Sequence, residues 1–142
     1  WPAKRKSGRV SEYMGNFTDV MPTVCELAGV EAPQTDGLSL VPLLTGREDR
    51  QPAHEFLYWE YPASGGQLAV RWGKWKGLVR QVHKGNRTME LYDLSTPGKE
   101  VENPSNNVAH LHPDIVERMW GYIEQSHEAI DEPMFQVDVN RN

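Results

Sequence analysis

The chain has 142 residues, of which 38% are hydrophobic and 25% are charged, and its net charge is −5. This length suits one domain with a modest hydrophobic core. The acidic balance argues against a nucleic-acid partner, because phosphate binding requires a positive face. No run approaches the roughly 18 apolar residues of a membrane span, so no membrane partner is expected. A single cysteine, Cys25, rules out an internal disulfide and a cysteine-based metal site.

The start of the chain carries neither an initiator methionine nor a signal peptide. It opens Trp1-Pro2-Ala3-Lys4, without an apolar segment. This abrupt start predicts a piece of a longer protein whose preceding part, with any targeting signal, is missing. The one basic run, Lys4 to Lys6 with Arg9, is interpreted as a solvated end.

Residues 16–29 have the pattern of a helix. Thr18 is the expected N-cap, Pro22 fits only the first turn, and Gly29 suits a left-handed C-cap. One apolar face is expected from Val20, Val24, Leu27 and Ala28. Cys25 lies inside this helix, where a half-buried thiol is favoured over a nucleophile because no base or oxyanion motif accompanies it.

Residues 30–52 form a long connection with a short apolar segment. Leu38 to Leu44 is expected to be a helical turn tucked against something larger. The leucines there, Leu38, Leu40, Leu43 and Leu44, exceed what an isolated small domain needs. They indicate a missing partner surface.

Four aromatic and β-branched runs separated by Gly- and Pro-bearing breaks predict an antiparallel meander. The expected strands are about 55–61, 67–72, 75–82 and 88–94. Gly73-Lys74 suits a type II′ hairpin, which would make Trp72 and Trp75 a cross-strand pair.

A second helix is predicted over about 113–130, with Pro113 at its first position. Its expected inner stripe consists of Ile115, Val116, Met119, Trp120, Ile123, His127 and Ile130. This stripe would cover one face of the sheet, and an irregular tail would follow. The predicted fold class is α+β: a helix and a long loop, a four-stranded antiparallel sheet, and a C-terminal helix packed on the sheet.

The titratable residues complete no catalytic motif. His110 and His112 are interpreted as a capping residue and a solvated neighbour rather than a metal pair, and His127 as a core histidine. His54 precedes the first strand and would border a cleft there. The aromatic strands fit either a sugar-stacking platform or plain core, and core is favoured because the last helix needs a packing surface.

Five segments, in order, resemble the C-terminal region of the sulfatases of the arylsulfatase type, in the alkaline phosphatase superfamily. The first three segments are Trp1-Pro2, Thr18 to Val30 and Asp36 to Gly46. The fourth is the meander, with Leu57-Tyr58-Trp59-Glu60-Tyr61, Gln67 to Lys76 and Glu90-Leu91-Tyr92-Asp93-Leu94, and with Glu100 and Asn103 downstream. The fifth is His112-Pro113 at the head of the last helix. Together they cover nearly the whole chain.

This resemblance implies that the longer protein hydrolyses sulfate esters. The family matures a Cys or Ser to formylglycine and holds calcium with Asp and Asn side chains. Neither feature carries over: Cys25 is followed by Glu26-Leu27-Ala28-Gly29, which does not match the nucleophile motif, and the chain begins after the family's acidic cluster. Residues 1–50 would then be the end of the large α/β domain, and 51–142 the small C-terminal subdomain.

The implied partners are the missing N-terminal domain and a sulfated sugar or aryl sulfate. The family also implies a periplasmic, secreted or lysosomal location. Substrate contacts in the small subdomain are expected around the first hairpin, from His54, Glu60, Gln67 and Arg71. Alternatively, Glu60 and Arg71 pair with each other across the strands.

Two other functions remain open. One is a free-standing β-rich module that binds glycans or a protein. The other keeps the superfamily but changes the ester to a phosphate or phosphonate monoester. If the chain has lost a partner domain, its uncovered apolar surfaces predict self-association of the isolated chain.

Overall fold

The computed structural model describes Gly8 and residues 10–95 and 102–141. The sequence-based interpretations of Trp1-Pro2, of the basic run at 4–9 and of Glu100 fall outside these residues. The chain divides into two compact units, residues 1–55 and 56–142. That the first unit ends a larger α/β domain remains a proposal.

Helix α1, Val20–Ala28, is the main element of the first unit. A 3-10 turn, Phe17–Asp19, leads into it, and the N-cap of that turn is Asn16 rather than the predicted Thr18. Asn16 is favoured because it forms a capping box with Asp19. The Asn16 side chain accepts a hydrogen bond from the backbone of the turn, and the Asp19 side chain accepts one from the Asn16 backbone N–H. Gly29 adopts the left-handed C-cap at φ 71°, as predicted.

The apolar segment after α1 contains the short helix α2, Val41–Leu44, in agreement with the predicted helical turn. Gln51 fixes this turn: its amide oxygen accepts from the Leu43 N–H at 3.0 Å, and its amide nitrogen donates to the Ser39 carbonyl at 2.9 Å. Val41 is buried, whereas the four leucines of the segment are only half-buried.

The second unit contains the predicted four-stranded antiparallel sheet in the order β1-β2-β3-β4. The strands are β1 Leu57–Tyr61, β2 Gln67–Trp72, β3 Trp75–Arg80 and β4 Met89–Asp93. Trp72 stands opposite Trp75, which confirms the predicted cross-strand pair. Gly73 has φ 54°, the positive value that the first position of a type II′ turn requires.

Helix α3, Pro113–Ser126, covers one face of this sheet, here called the helix face. The core between them contains Leu68, Val70, Val79, Met89, Leu91, Met119, Trp120, Tyr122 and Ile123. The predicted extension of the helix to residue 130 is wrong. The helix ends at Ser126 because His127 turns to extended geometry, and Ile130 is exposed.

The irregular tail contributes to the core, which the sequence analysis did not predict. Val137 and Val139 are both buried in the cluster beneath α3. Arg87 ties the tail to the start of β4, because its guanidinium donates to the Asn140 carbonyl at 2.6 Å and to Asp138 at 2.9 Å.

Candidate functional site

The four predicted contact residues occupy three separate environments. His54 belongs to the first unit. Glu60 lies on the helix face of the sheet, since it pairs in register with the core residue Leu68. Gln67 and Arg71 lie on the opposite face, because side chains alternate along β2. We call this opposite face the second sheet face. Of the four predicted contact residues, it brings together only Gln67 and Arg71.

His54 is held by the buried carboxylate of Asp19. Its Nε2 atom donates to Asp19 Oδ1 at 2.8 Å, and the His54 side chain is only 9% exposed. The backbone N–H groups of Leu38 and Asn16 donate to the same carboxylate, each at 2.8 Å. Asp19 therefore joins three segments that are distant in sequence.

The ionised form of Asp19 suits this site. Burial alone would raise its pKa, but hydrogen bonds from Leu38, Asn16 and His54 outweigh burial and hold the pKa below its ordinary value. Thr23 extends the network, since its hydroxyl donates to the Asp19 carbonyl at 2.6 Å and accepts from the Leu40 N–H at 2.8 Å. Together these hydrogen bonds connect α1, the segment 38–40 and His54, and so stabilise the first unit.

Glu60 is the acceptor in a half-buried cluster between β1 and the end of α3. Its Oε1 atom accepts from the Tyr58 hydroxyl and from Nδ1 of His127, the latter at 2.7 Å. Burial, and next the Glu60 carboxylate, raise the pKa of Tyr58 well above its ordinary value. The bond to Nδ1 orients the imidazole of His127 against the end of β1.

The proposed alternative pairing of Glu60 with Arg71 is wrong. Arg71 pairs in register with Leu57. Its side chain and that of Glu60 project from opposite faces of the sheet. Its Nε atom donates instead to the Gly73 carbonyl at 2.9 Å, in the hairpin turn.

Three cations share the second sheet face, but two of them are neutralised. Lys76 and Arg80 both bond the carboxylate of Glu102, and Arg80 also lies 3.5 Å from Glu90. Burial tends to raise the pKa of Glu102, but its bond to Lys76, the largest effect, and that to Arg80 hold it below its usual range. Arg71, by contrast, has no ion pair among the described residues. It is therefore the cation on this face best suited to an anionic ligand.

A pocket of about 510 Å³ opens at the end of α3, where no motif in the sequence indicates one. It is lined by Glu124, His127, Val139, Asn140 and Arg141. The guanidinium of Arg141 bonds Glu117 through two nitrogens and Glu124 through the third, at 2.8–3.0 Å. Its charge is already balanced, so the pocket has no unpaired guanidinium for an anion.

No group of three or more His, Cys, Asp or Glu side chains in the described part of the chain could hold a metal ion. His112 lies with its ring 4.7 Å from that of Trp75. His110 is exposed in a separate 3-10 turn, and Cys25 is half-buried within α1. The described residues therefore contain no cluster of carboxylates of the kind that calcium sites use. Likewise, none of the described helices is both long and apolar enough to cross a membrane.

Comparison with known proteins identifies the family. The family model described as "N-sulphoglucosamine sulphohydrolase, C-terminal" matches residues 1–129. Human "Arylsulfatase D" is 48% identical in an alignment of 88 residues that covers 58% of this chain and 14% of that protein. "Choline-sulfatase" of Rhizobium meliloti is 35% identical in an alignment of 96 residues that covers 63% of this chain and 17% of that protein. The chain thus spans less than a fifth of the length of these relatives.

Solved structures share the fold. The structure of BT1596, a 2-O GAG sulfatase, superposes with a TM-score of 0.56 at 24% identity, over 86% of this chain and 27% of that one. The yidJ protein of Bacteroides fragilis superposes with a TM-score of 0.62 at 18% identity, over 94% of this chain and 29% of that one. With the family model matched over residues 1–129, the chain belongs to the family of sulfatase C-terminal regions.

Proposed function

We propose that this chain is the C-terminal part of a longer sulfate ester hydrolase, and that it completes the fold of that enzyme without carrying its catalytic centre. The match of the C-terminal family model to residues 1–129 carries the proposal. The relatives named above are sulfatases, and the chain corresponds to 14% and 17% of their length. The cofactors of such an enzyme, calcium and formylglycine, belong in this proposal to the preceding part of the protein.

Residues 1–50 are proposed to end the large α/β domain and 51–142 to form the small subdomain beside the substrate. The second sheet face is the proposed pocket wall, because Arg71 and Gln67 project from it together. A guanidinium and an amide suit the sulfate and hydroxyl groups of a sulfated sugar or the sulfate of an aryl ester. The side chains of His54 and Glu60 are engaged by Asp19 and His127, so they are proposed to hold their own surroundings in place rather than to bind substrate.

The location proposed for the longer protein is periplasmic, secreted or lysosomal, by analogy with the family. A sequence of the complete reading frame would show whether a signal peptide precedes the large domain.

The test compares the 142-residue chain with the protein made from its complete genomic reading frame. Each is assayed for hydrolysis of an aryl sulfate, with and without added calcium. We expect turnover by the longer protein and none by the isolated chain. Turnover by the isolated chain, or a reading frame that begins near Trp1, would overturn the proposal.

Two further measurements on the same proteins distinguish the other two functions. Hydrolysis of a phosphate or phosphonate monoester in place of the sulfate would reassign the reaction. Specific glycan binding by the isolated chain, lost in Trp59→Ala, would instead identify a free-standing binding module.

A further inference from the structure

Helix α1 presents an apolar stripe to solvent. We define the α1 stripe as the exposed apolar residues of the helix and of the turn before it: Phe17, Val20, Met21, Val24 and Leu27. Their exposed fractions range from 47% for Leu27 to 92% for Phe17. Spacings of three and four residues place them on one side of the helix.

The opposite side of the helix is fixed by polar groups. Asp19 and Thr23 are buried there, and they bond the backbone N–H groups of Leu38 and Leu40. The helix cannot rotate its apolar stripe inward without breaking these hydrogen bonds, which would leave the Leu38 and Leu40 N–H groups without their acceptors. The outward orientation of the α1 stripe is therefore built into the first unit.

The described residues of the first unit form no hydrophobic core of their own. Among its described residues, the one apolar side chain that is buried is Val41. All residues of the core cluster lie in the second unit. A contiguous apolar surface on a unit held mainly by hydrogen bonds marks an interaction site.

We propose that the α1 stripe is a docking surface for the preceding part of the same polypeptide, which packs an apolar surface of its large domain against it. The inference rests on the proposed function. Two observations select this occupant: the chain spans only 14–29% of the relatives and neighbours described above, and it matches a C-terminal family model. Because the stripe consists of exposed apolar side chains, an apolar surface is the one that gains free energy by covering it.

The test measures how accessible the stripe is in the isolated chain and in the longer protein. Val24→Cys is introduced in a Cys25→Ser background, and reaction with a maleimide is followed by mass spectrometry of the peptide that contains residue 24. Glu26→Cys in the same background is the matched control, since Glu26 is exposed on the same helix but outside the stripe. We expect labelling at residue 24 to be about tenfold or more slower in the longer protein, with little change at residue 26.

A second measurement needs no substitution. Amide hydrogen exchange of the peptide covering α1 should be slower in the longer protein than in the isolated chain, because docking suppresses local opening. Equal labelling at residue 24 and equal exchange in the two proteins would overturn the inference. Protection in the longer protein that rises with its concentration would also overturn it, since that result assigns the stripe to a second copy rather than to the large domain.

Sulfatase activity of the same longer protein separates this inference from the proposed function. Activity without protection of the stripe overturns the docking surface and leaves the function intact. Protection without activity toward sulfate esters overturns the function and leaves the docking surface intact.

Discussion

Asp19 stabilises the first unit through a charge that is buried and fully bonded. In Asp19→Asn an N–H₂ group replaces one carboxylate oxygen, either Oδ1, which accepts from Leu38 and His54, or Oδ2, which accepts from Asn16. We expect the local free energy of unfolding to fall by about 2 kcal/mol or more, because buried donors lose an ionised acceptor. Hydrogen exchange of the peptide that contains Leu38 measures this change.

The pH dependence of that stability follows from the lowered pKa of Asp19. A carboxyl group with a lower pKa in the folded state stabilises the fold above its unfolded pKa, about 3.9, and loses this contribution as the pH falls toward the folded pKa. Protection of Leu38 should therefore drop below about pH 4 in the native chain and less so in Asp19→Asn. Asp49→Asn, at an exposed position, is the control and should follow the native profile.

Tyr58 makes the second unit sensitive to alkaline pH. Burial and the Glu60 carboxylate raise its pKa, and burial and the Glu90 carboxylate do the same for Tyr92. A tyrosine whose pKa is raised in the folded state favours unfolding once the pH exceeds its unfolded value of about 10.

We expect the free energy of unfolding to decline above about pH 10, and the decline to be shallower in Tyr58→Phe and in Tyr92→Phe. Ultraviolet absorbance of tyrosinate and circular dichroism, followed together, test this. If both phenols ionise while the circular dichroism stays native, the buried arrangement of Tyr58 and Tyr92 is wrong.

Two glycines bring neighbouring elements close together, with different tolerance for a side chain. A Cβ atom on Gly37 would lie 2.0 Å from the Thr18 carbonyl oxygen, whereas one on Gly77 would lie 2.6 Å from the Met119 sulfur. Backbone cannot yield without moving α1, but a methionine side chain can change rotamer.

We therefore expect Gly37→Ala to destabilise the first unit by about 3 kcal/mol and Gly77→Ala to destabilise the second by about 1 kcal/mol or less. Hydrogen exchange resolved by unit compares the two. A larger loss for Gly77→Ala would show that α3 cannot adjust on the sheet.

The regular elements follow from local patterns in the sequence. Alternation and the Gly73 turn predict the register that places Trp72 opposite Trp75, and the apolar periodicity of α3 predicts its core residues. Helix α3 ends at Ser126 and not at residue 130 as the spacing predicts, because His127 and Ile130 continue the helical spacing after the backbone has turned. The alternation of Val137 and Val139 with polar neighbours was a signal for burial of the tail.

The contacts of the candidate site depend on long-range geometry, which periodicity does not encode. His54 meets Asp19 across 35 positions, and His127 meets Glu60 across 67. In each case the sequence indicates a titratable residue beside an element, but its partner depends on how the elements pack. The close approach of Gly37 to the Thr18 backbone is also not readable from the sequence. A glycine after an aspartate is already explained by the chemistry of turns.

Across the whole molecule, buried apolar surface is unequally divided. The second unit buries a sheet, a helix and part of the tail in one cluster, while the first unit buries Val41 and is braced by Asp19 and Thr23. Burial of apolar side chains supplies most folding free energy. The second unit should therefore be the more stable one in the isolated chain.

The uncovered α1 stripe and the half-buried leucines of the segment 38–44 lead to the last prediction, that the isolated chain self-associates. Water-exposed apolar side chains gain about 25 cal/mol for each Å² that a second copy covers. We expect light scattering coupled to size exclusion to show a mass that rises with concentration.

Val24→Glu should shift the chain toward monomer, because it places a charge in the centre of the stripe. Glu26→Gln, outside the stripe, should not. A monomer at every concentration would show that these surfaces are too small or too dispersed to associate.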